Sequence, residues 1–194
     1  MKVPELGPNV PRQGGAVSAA LGRLVLRLIG WRIEGELPDV SRAVLIVAPH
    51  TSNWDFPVGL AVKFALRLRV NWLGKHTIFR YGLARIWRPL GGIPVDRQAA
   101  TGVVSQVLAE FGRRDRLLLG VAPEGTRKKV PQWKSGFYRI AQAAGVPIAP
   151  LAFDYPRRAI VFFPLFAPSG DYEADLAKLR SHYAAAMAYH PENY

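Results

Sequence analysis

The 194-residue sequence predicts a single α/β domain, residues 1–194, with a central, largely parallel or mixed sheet flanked by helices and preceded by an N-terminal amphipathic helix. Three observations carry this. Compact apolar runs rich in branched side chains recur at 43–48 (AVLIVA), 117–121 (LLLGV), 146–153 and 159–163, as buried strands require. Segments with helical spacing alternate with them. The composition, 49% hydrophobic and 21% charged, excludes a disordered or collagen-like chain.

Residues 1–15, with Pro4, Pro8 and Pro11, read as a flexible lead-in lacking the early basic segment and apolar core of a secretory signal. Residues 16–30 (AVSAALGRLVLRLIG) place Val17, Leu21, Leu24, Val25 and Leu28 at helical spacing, with Arg23 and Arg27 on another side. Two readings stand: an interfacial helix with its arginines at lipid-phosphate level, or a helix packed on the core. No run of 18 uncharged apolar residues exists, so a spanning helix is not expected.

Residues 31–34 read as a short strand and 43–48 as a buried one ending at Pro49-His50. Residues 55–68 are helical, 70–79 contain a strand, and 83–88 form a helix closed by Pro89 and Gly91-Gly92. A short strand at 93–95, a helix at 102–111 and the strand 117–121 follow. Ser135 caps the helix 136–144, which Gly145 ends. Pro147 and Pro150 imply an edge or irregular strand at 146–153; the strand 159–163 and a final helix over 171–187 complete the chain.

Charge is unevenly placed. Of 26 basic and 14 acidic residues, which give a net +12, residues 60–139 hold sixteen and four. That field attracts anions: lipid headgroups, phosphorylated substrates or nucleic acid. No nucleic-acid module supports the last of these, so no nucleic-acid partner is expected. With no cysteine there is no thiolate nucleophile, and none of the four histidines belongs to a zinc signature, so no metal is expected.

Functional groups in such a sheet gather beyond the carboxyl ends of strands. Two buried strands run into charged loops, His50-Thr51-Ser52-Asn53-Trp54-Asp55 and Pro123-Glu124-Gly125-Thr126-Arg127-Lys128-Lys129, with Gly91 to Arg97 between them. A turn and a helix start can bring Asp55 onto one imidazole nitrogen of His50, leaving the other as a general base. A structural histidine and an ordinary helix-first aspartate are the alternative. Arg97, Arg127, Lys128 and Lys129 fit phosphate binding, Gly125 a tight turn and Thr126 a hydroxyl donor; a solvated loop is again the alternative. Glu124 either acts on substrate or holds Arg97 or Arg127 as an ion pair.

The loops, in order, resemble the glycerolipid acyltransferase family, whose best-known members are the lysophosphatidate acyltransferases. Its first block, a histidine, four residues and an aspartate, stands here as His50 to Asp55, with Ser52 included. The second ends in Arg97, the third is Glu124-Gly125-Thr126-Arg127, and the fourth is Val146-Pro147-Ile148-Ala149-Pro150. Pro49 stands where the family often has asparagine, and Pro94-Val95-Asp96 departs from the usual second block.

The resemblance implies His50 as general base and Asp55 as its partner. It implies Arg97, Glu124, Gly125, Thr126 and Arg127 as acceptor-binding residues; Ser52, Lys75 and Lys128 are candidate auxiliary ones beside them. It further implies a lysolipid acceptor such as 1-acylglycerol 3-phosphate and an acyl thioester donor, acyl-CoA or acyl-carrier protein, with no other cofactor. An anionic membrane surface, met through the N-terminal helix and basic residues at the cytoplasmic face of the plasma membrane, completes the expectation. A non-catalytic peripheral anionic-lipid-binding module of the same fold is the alternative.

Overall fold

The computed structural model describes residues 3–96, 98, 99 and 102–194. Seven strands form one mixed sheet: β1 (Arg32–Glu34), β2 (Arg42–Ala48), β3 (Val70–Lys75), β4 (Gly92–Val95), β5 (Leu117–Val121), β6 (Ile148–Asp154) and β7 (Ala159–Phe162). Their order is β1-β7-β6-β2-β5-β3-β4; β6 and β7 are antiparallel and every other neighbouring pair is parallel.

Strand side chains alternate between faces, and that sorts the core into two halves. Val44, Ile46, Leu117, Leu119 and Ile148 meet α4 (Gly102–Arg113), α5 (Gly136–Ala144) and α6 (Tyr172–Arg180) through Phe111, Phe137 and Leu179. Ala43, Leu45, Leu118, Leu151 and Phe153 meet α1 (Ala16–Leu28) and α2 (Asp55–Leu66) through Leu26, Val58, Val62 and Leu66. Each Val, Leu, Ile or Phe side chain among these, fully buried, stabilises the fold by about 1.5–3 kcal/mol. The short α3 (Ala84–Trp87) lies beside α2, where Phe56 meets Trp72 and Trp87 edge-on.

Several elements differ from the sequence expectation, each for a physical reason. The strand containing Pro150 is interior, between β7 and β2, and all seven of its residues are buried. Pro150 accepts the Phe163 N–H at 3.0 Å just beyond the β6–β7 ladder, and the reciprocal bond to Phe163 O is the one proline cannot donate, so the cost is a single bond at the ladder's end. The last helix stops at Arg180, where the chain turns to bury Tyr183 against Trp133 and Phe163, and only a 3₁₀ turn at Ala185–Met187 resumes. Ser135 precedes α5 in helical conformation and makes no side-chain cap, whereas Gly145 ends it at φ +61°.

The stretch expected as a lead-in packs down. Val10 is fully buried, and Arg12 bridges to Leu68. In α1 the faces are inverted relative to a core-packed helix. Ala19, Gly22 and Leu26 are buried, while Val17 is 83% and Leu28 76% exposed, with Leu21, Leu24 and Val25 on the same outward stripe.

Candidate active site

β2 lies between β5 and β6, with Ile46 opposite Val121 and Ala48 opposite Ala152. The chains leaving all three strands therefore emerge side by side at one edge of the sheet. His50 follows β2, Glu124 follows β5 and Tyr155 follows β6. This adjacency joins residues up to 100 positions apart.

Asp55 opens α2, where the helix dipole favours a carboxylate. Its Oδ2 lies 2.8 Å from His50 Nδ1 and accepts the Ser52 N–H at 3.1 Å. Its Oδ1 accepts the Tyr155 hydroxyl. The Asp55 side chain is 2% exposed, that of His50 22%. Ser52 Oγ accepts the Trp54 N–H, tightening the turn that brings aspartate back over histidine. One imidazole nitrogen is thus committed to a buried carboxylate while the ring keeps an outlet to solvent.

Glu124 binds the loop from the other side. Its Oε1 accepts the His50 N–H at 3.1 Å, and burial pushes its carboxyl above the ordinary carboxylate range. It is 3% exposed and turned inwards. This contact gives Glu124 a role in supporting the His50 backbone, beside the substrate and ion-pair roles that the sequence leaves open. Gly125 takes φ +68°, with the Lys134 side chain 3.0 Å from where a β-carbon would sit, and Thr126 Oγ1 accepts the Lys128 N–H. Arg127 and Lys128 are exposed on that loop. Lys75, also exposed, ends β3, which β5 separates from β2. Arg97 lies outside the described residues.

Sequence reading missed Tyr155. It packs edge-on against Trp31 and Tyr189, and its N–H donates to Met187 O. Burial and the Asp55 carboxylate push its phenol upward, so it stays a donor. The only sequence signal was its place just past a buried strand. The carboxyl-terminal segment closes the site from that side, with the His190 N–H on Thr51 Oγ1 at 3.1 Å.

Known proteins resemble this chain to differing degrees. A 1-acyl-sn-glycerol-3-phosphate acyltransferase of Haemophilus influenzae is 29% identical over 159 residues, covering 73% of this chain and 61% of that protein. The Escherichia coli protein of the same name is 26% identical over 153 residues, covering 74% and 61%. This chain thus spans about three fifths of the length of the curated relatives it matches. The crystal structure of the 1-acyl-sn-glycerophosphate (LPA) acyltransferase from Thermotoga maritima has the same fold, with a TM-score of 0.60 at 18% identity over 86% of this chain and 74% of that one. A family model described as Acyltransferase matches residues 31–154, from β1 to the end of β6 and across both the His50 and Glu124 loops, and on that match over more than half its length the chain belongs to the acyltransferase family.

Proposed function

We propose that this chain transfers a fatty acyl group from an acyl thioester, acyl-CoA or acyl-carrier protein, to the hydroxyl of a lysophospholipid such as 1-acylglycerol 3-phosphate. The observation that carries the reading is the 2.8 Å contact between His50 Nδ1 and the buried Asp55. With Nδ1–H donated to the carboxylate, Nε2 is the basic nitrogen. It takes the proton of the acceptor hydroxyl as that oxygen attacks the thioester carbonyl. Asp55 stabilises the imidazolium that forms. The tetrahedral intermediate then collapses, the carbon–sulfur bond breaks, and the thiolate leaves with the proton His50 has held.

Arg127, together with Arg97, anchors the acceptor phosphate so that its hydroxyl stays over the imidazole. Thr126 and Lys128 line the same loop, and Ser52 and Glu124 hold the histidine turn in shape. No further cofactor enters this scheme. The outward stripe of α1, flanked by Arg23 and Arg27, rests on an anionic membrane surface with its leucines at the acyl boundary. No helix of the described residues is long and apolar enough to cross a membrane. We place the chain on the cytoplasmic face of the plasma membrane, where thioester donors are made.

The test is thiol release from acyl-CoA in the presence of 1-acylglycerol 3-phosphate, with mass spectrometry of the lipid product. Wild type releases thiol only with acceptor present, and His50→Ala loses about 10²–10⁴-fold in rate with folding intact. Full activity in His50→Ala overturns the mechanism. Saturable lipid binding without lysolipid-dependent thiol release from any donor would instead make the chain a lipid-binding module of the same fold.

A further inference from the structure

A cavity of about 520 Å³ opens at the amino ends of β3 and β4, the edge of the sheet opposite the His50 loop. Four arginines line it, Arg12, Arg69, Arg88 and Arg114, against a single acidic residue, Glu110. They come from four separate segments, and two of them, Arg12 and Arg114, have side-chain partners within the chain. Arg12 Nη2 donates to Leu6 O at 2.7 Å, and the Arg69 N–H donates to Pro11 O at 2.8 Å. Arg114 pairs with Glu110 at 2.6 Å. Gln13 Nε2 donates to Pro89 O at 2.7 Å, clamping the amino-terminal strap to the turn that carries Arg88.

The backbone comes close at the cavity floor. Gly91 adopts φ +99°, and a β-carbon there would lie 2.2 Å from Val70 O. Asn71, buried, donates to Gly91 O at 3.0 Å and holds that turn.

The charge around the cavity is not balanced. Among the described residues, the Arg69 and Arg88 guanidinium groups have no hydrogen-bond or ion-pair partner within the chain. Lys63 lies beside them, buried, with Nζ on Leu90 O at 2.7 Å. Burial first and Arg69 second lower its pKa to about 8. Like charges gathered in a partly enclosed space repel one another unless an anion joins them.

We propose that this cavity binds a phosphate-bearing anion of two or more negative charges, at a site separate from the His50 loop. Guanidinium forks match phosphate oxygens two at a time, and the volume falls in the range of small-molecule sites, about 300–1,000 Å³. The cavity is too polar for an acyl chain. Two sources offer the same chemistry: the phosphates of a soluble nucleotide such as adenosine 3′,5′-bisphosphate, and the headgroup phosphates of an anionic lipid. The inference holds whether or not the chain transfers acyl groups.

The experiment is calorimetric titration of the full chain with pyrophosphate at fixed ionic strength. Wild type shows a saturable component that depends on Arg69 and Arg88. The variant Arg69→Gln/Arg88→Gln binds about tenfold more weakly or worse, as the loss of two charge-assisted contacts requires, while Arg139→Gln, exposed on α5 away from both loops, binds within about twofold of wild type. If the double variant fails to fold, the exposed Arg88→Gln carries the comparison alone. Absence of saturable binding overturns the proposal, as does binding lost in Arg127→Gln and kept without Arg69 and Arg88. Parallel titrations with adenosine 3′,5′-bisphosphate and with phosphatidylglycerol vesicles identify the source by which of them shows the same arginine dependence. If neither does, the pyrophosphate is an adventitious ion only, and the proposal falls.

Discussion

The Asp55 carboxylate is held by three groups: the Ser52 amide, His50 Nδ1 and the Tyr155 hydroxyl. Tyr155→Phe removes the last and leaves a buried oxygen without its donor. A hydrogen bond to a charged acceptor contributes about 1.5–3 kcal/mol, so kcat should fall about ten- to a hundredfold. KM for both substrates should stay within about twofold, because the hydroxyl touches neither. Wild-type kcat in steady-state assays of this variant would remove Tyr155 from its positioning role. Glu124 makes a prediction in pH. Its folded-state pKa is raised by burial, so the folded chain keeps a proton that the unfolded chain releases near pH 4.5. The stability it contributes is full below that value and is lost as pH rises through the folded-state pKa. Denaturant titrations should therefore show wild-type stability declining across that interval and Glu124→Gln declining less. The histidine–aspartate spacing was legible because it is local, a turn and a helix start within six residues. The Tyr155 contact was not, because it depends on which strands neighbour β2.

Packing of α1 against α2 depends on a small residue rather than on the leucines that mark the helix as amphipathic. A β-carbon on Gly22 would sit 2.5 Å from Ala65 N and 2.8 Å from Ala61 O, both backbone atoms that cannot rotate away. Gly22→Val should therefore cost about 1–3 kcal/mol, read as a lower thermal midpoint with loss of α1 protection in hydrogen exchange. A wild-type midpoint would mean that α1 is not held against α2. This also explains why the sequence left two readings of residues 16–30 open. Periodicity reports that a helix has an apolar face but not which way the face points. The strand boundaries were legible from apolar runs, and β2 and β5 lie close to their expected places. Order within the sheet was not legible: Pro150 argues for an edge, yet its missing donor costs a single bond at the ladder's end of an interior strand. The alanine-rich stretch after Arg180 has helical propensity, but burial of Tyr183 overrides it.

Across the described residues, most of the exposed large apolar side chains lie on the helix layer that α2 centres, Leu165 and Tyr189 being among the exceptions. On one side is the α1 stripe; on the other, Ile78, Tyr81, Leu83 and Ile86 stand exposed between the basic residues Arg80, Arg85 and Arg88. Both reach toward the carboxyl edge of the sheet, since α1 ends near Trp31, which touches Tyr155, and the second segment follows β3. A layer that joins apolar side chains to arginines suits a surface with an apolar interior and an anionic skin. The excess charge seen in residues 60–139 thus acquires positions, divided among this layer, the Arg127 loop and the arginine cavity, none of which the linear sequence separates. On the membrane attachment proposed above, two forces would hold the molecule on a bilayer, and they respond differently to salt. Burial of the α1 leucines does not depend on ionic strength, whereas attraction between arginines and lipid phosphates is screened over about 8 Å at physiological salt. Vesicle flotation should therefore show strong binding to phosphatidylglycerol-containing vesicles at low salt, falling to a residual level at high salt. Leu21→Asp/Leu24→Asp should abolish that residue while shifting stability by no more than about 0.5 kcal/mol, because both side chains already face solvent. Binding that ignores both salt and the paired substitution would mean that this layer does not face the membrane.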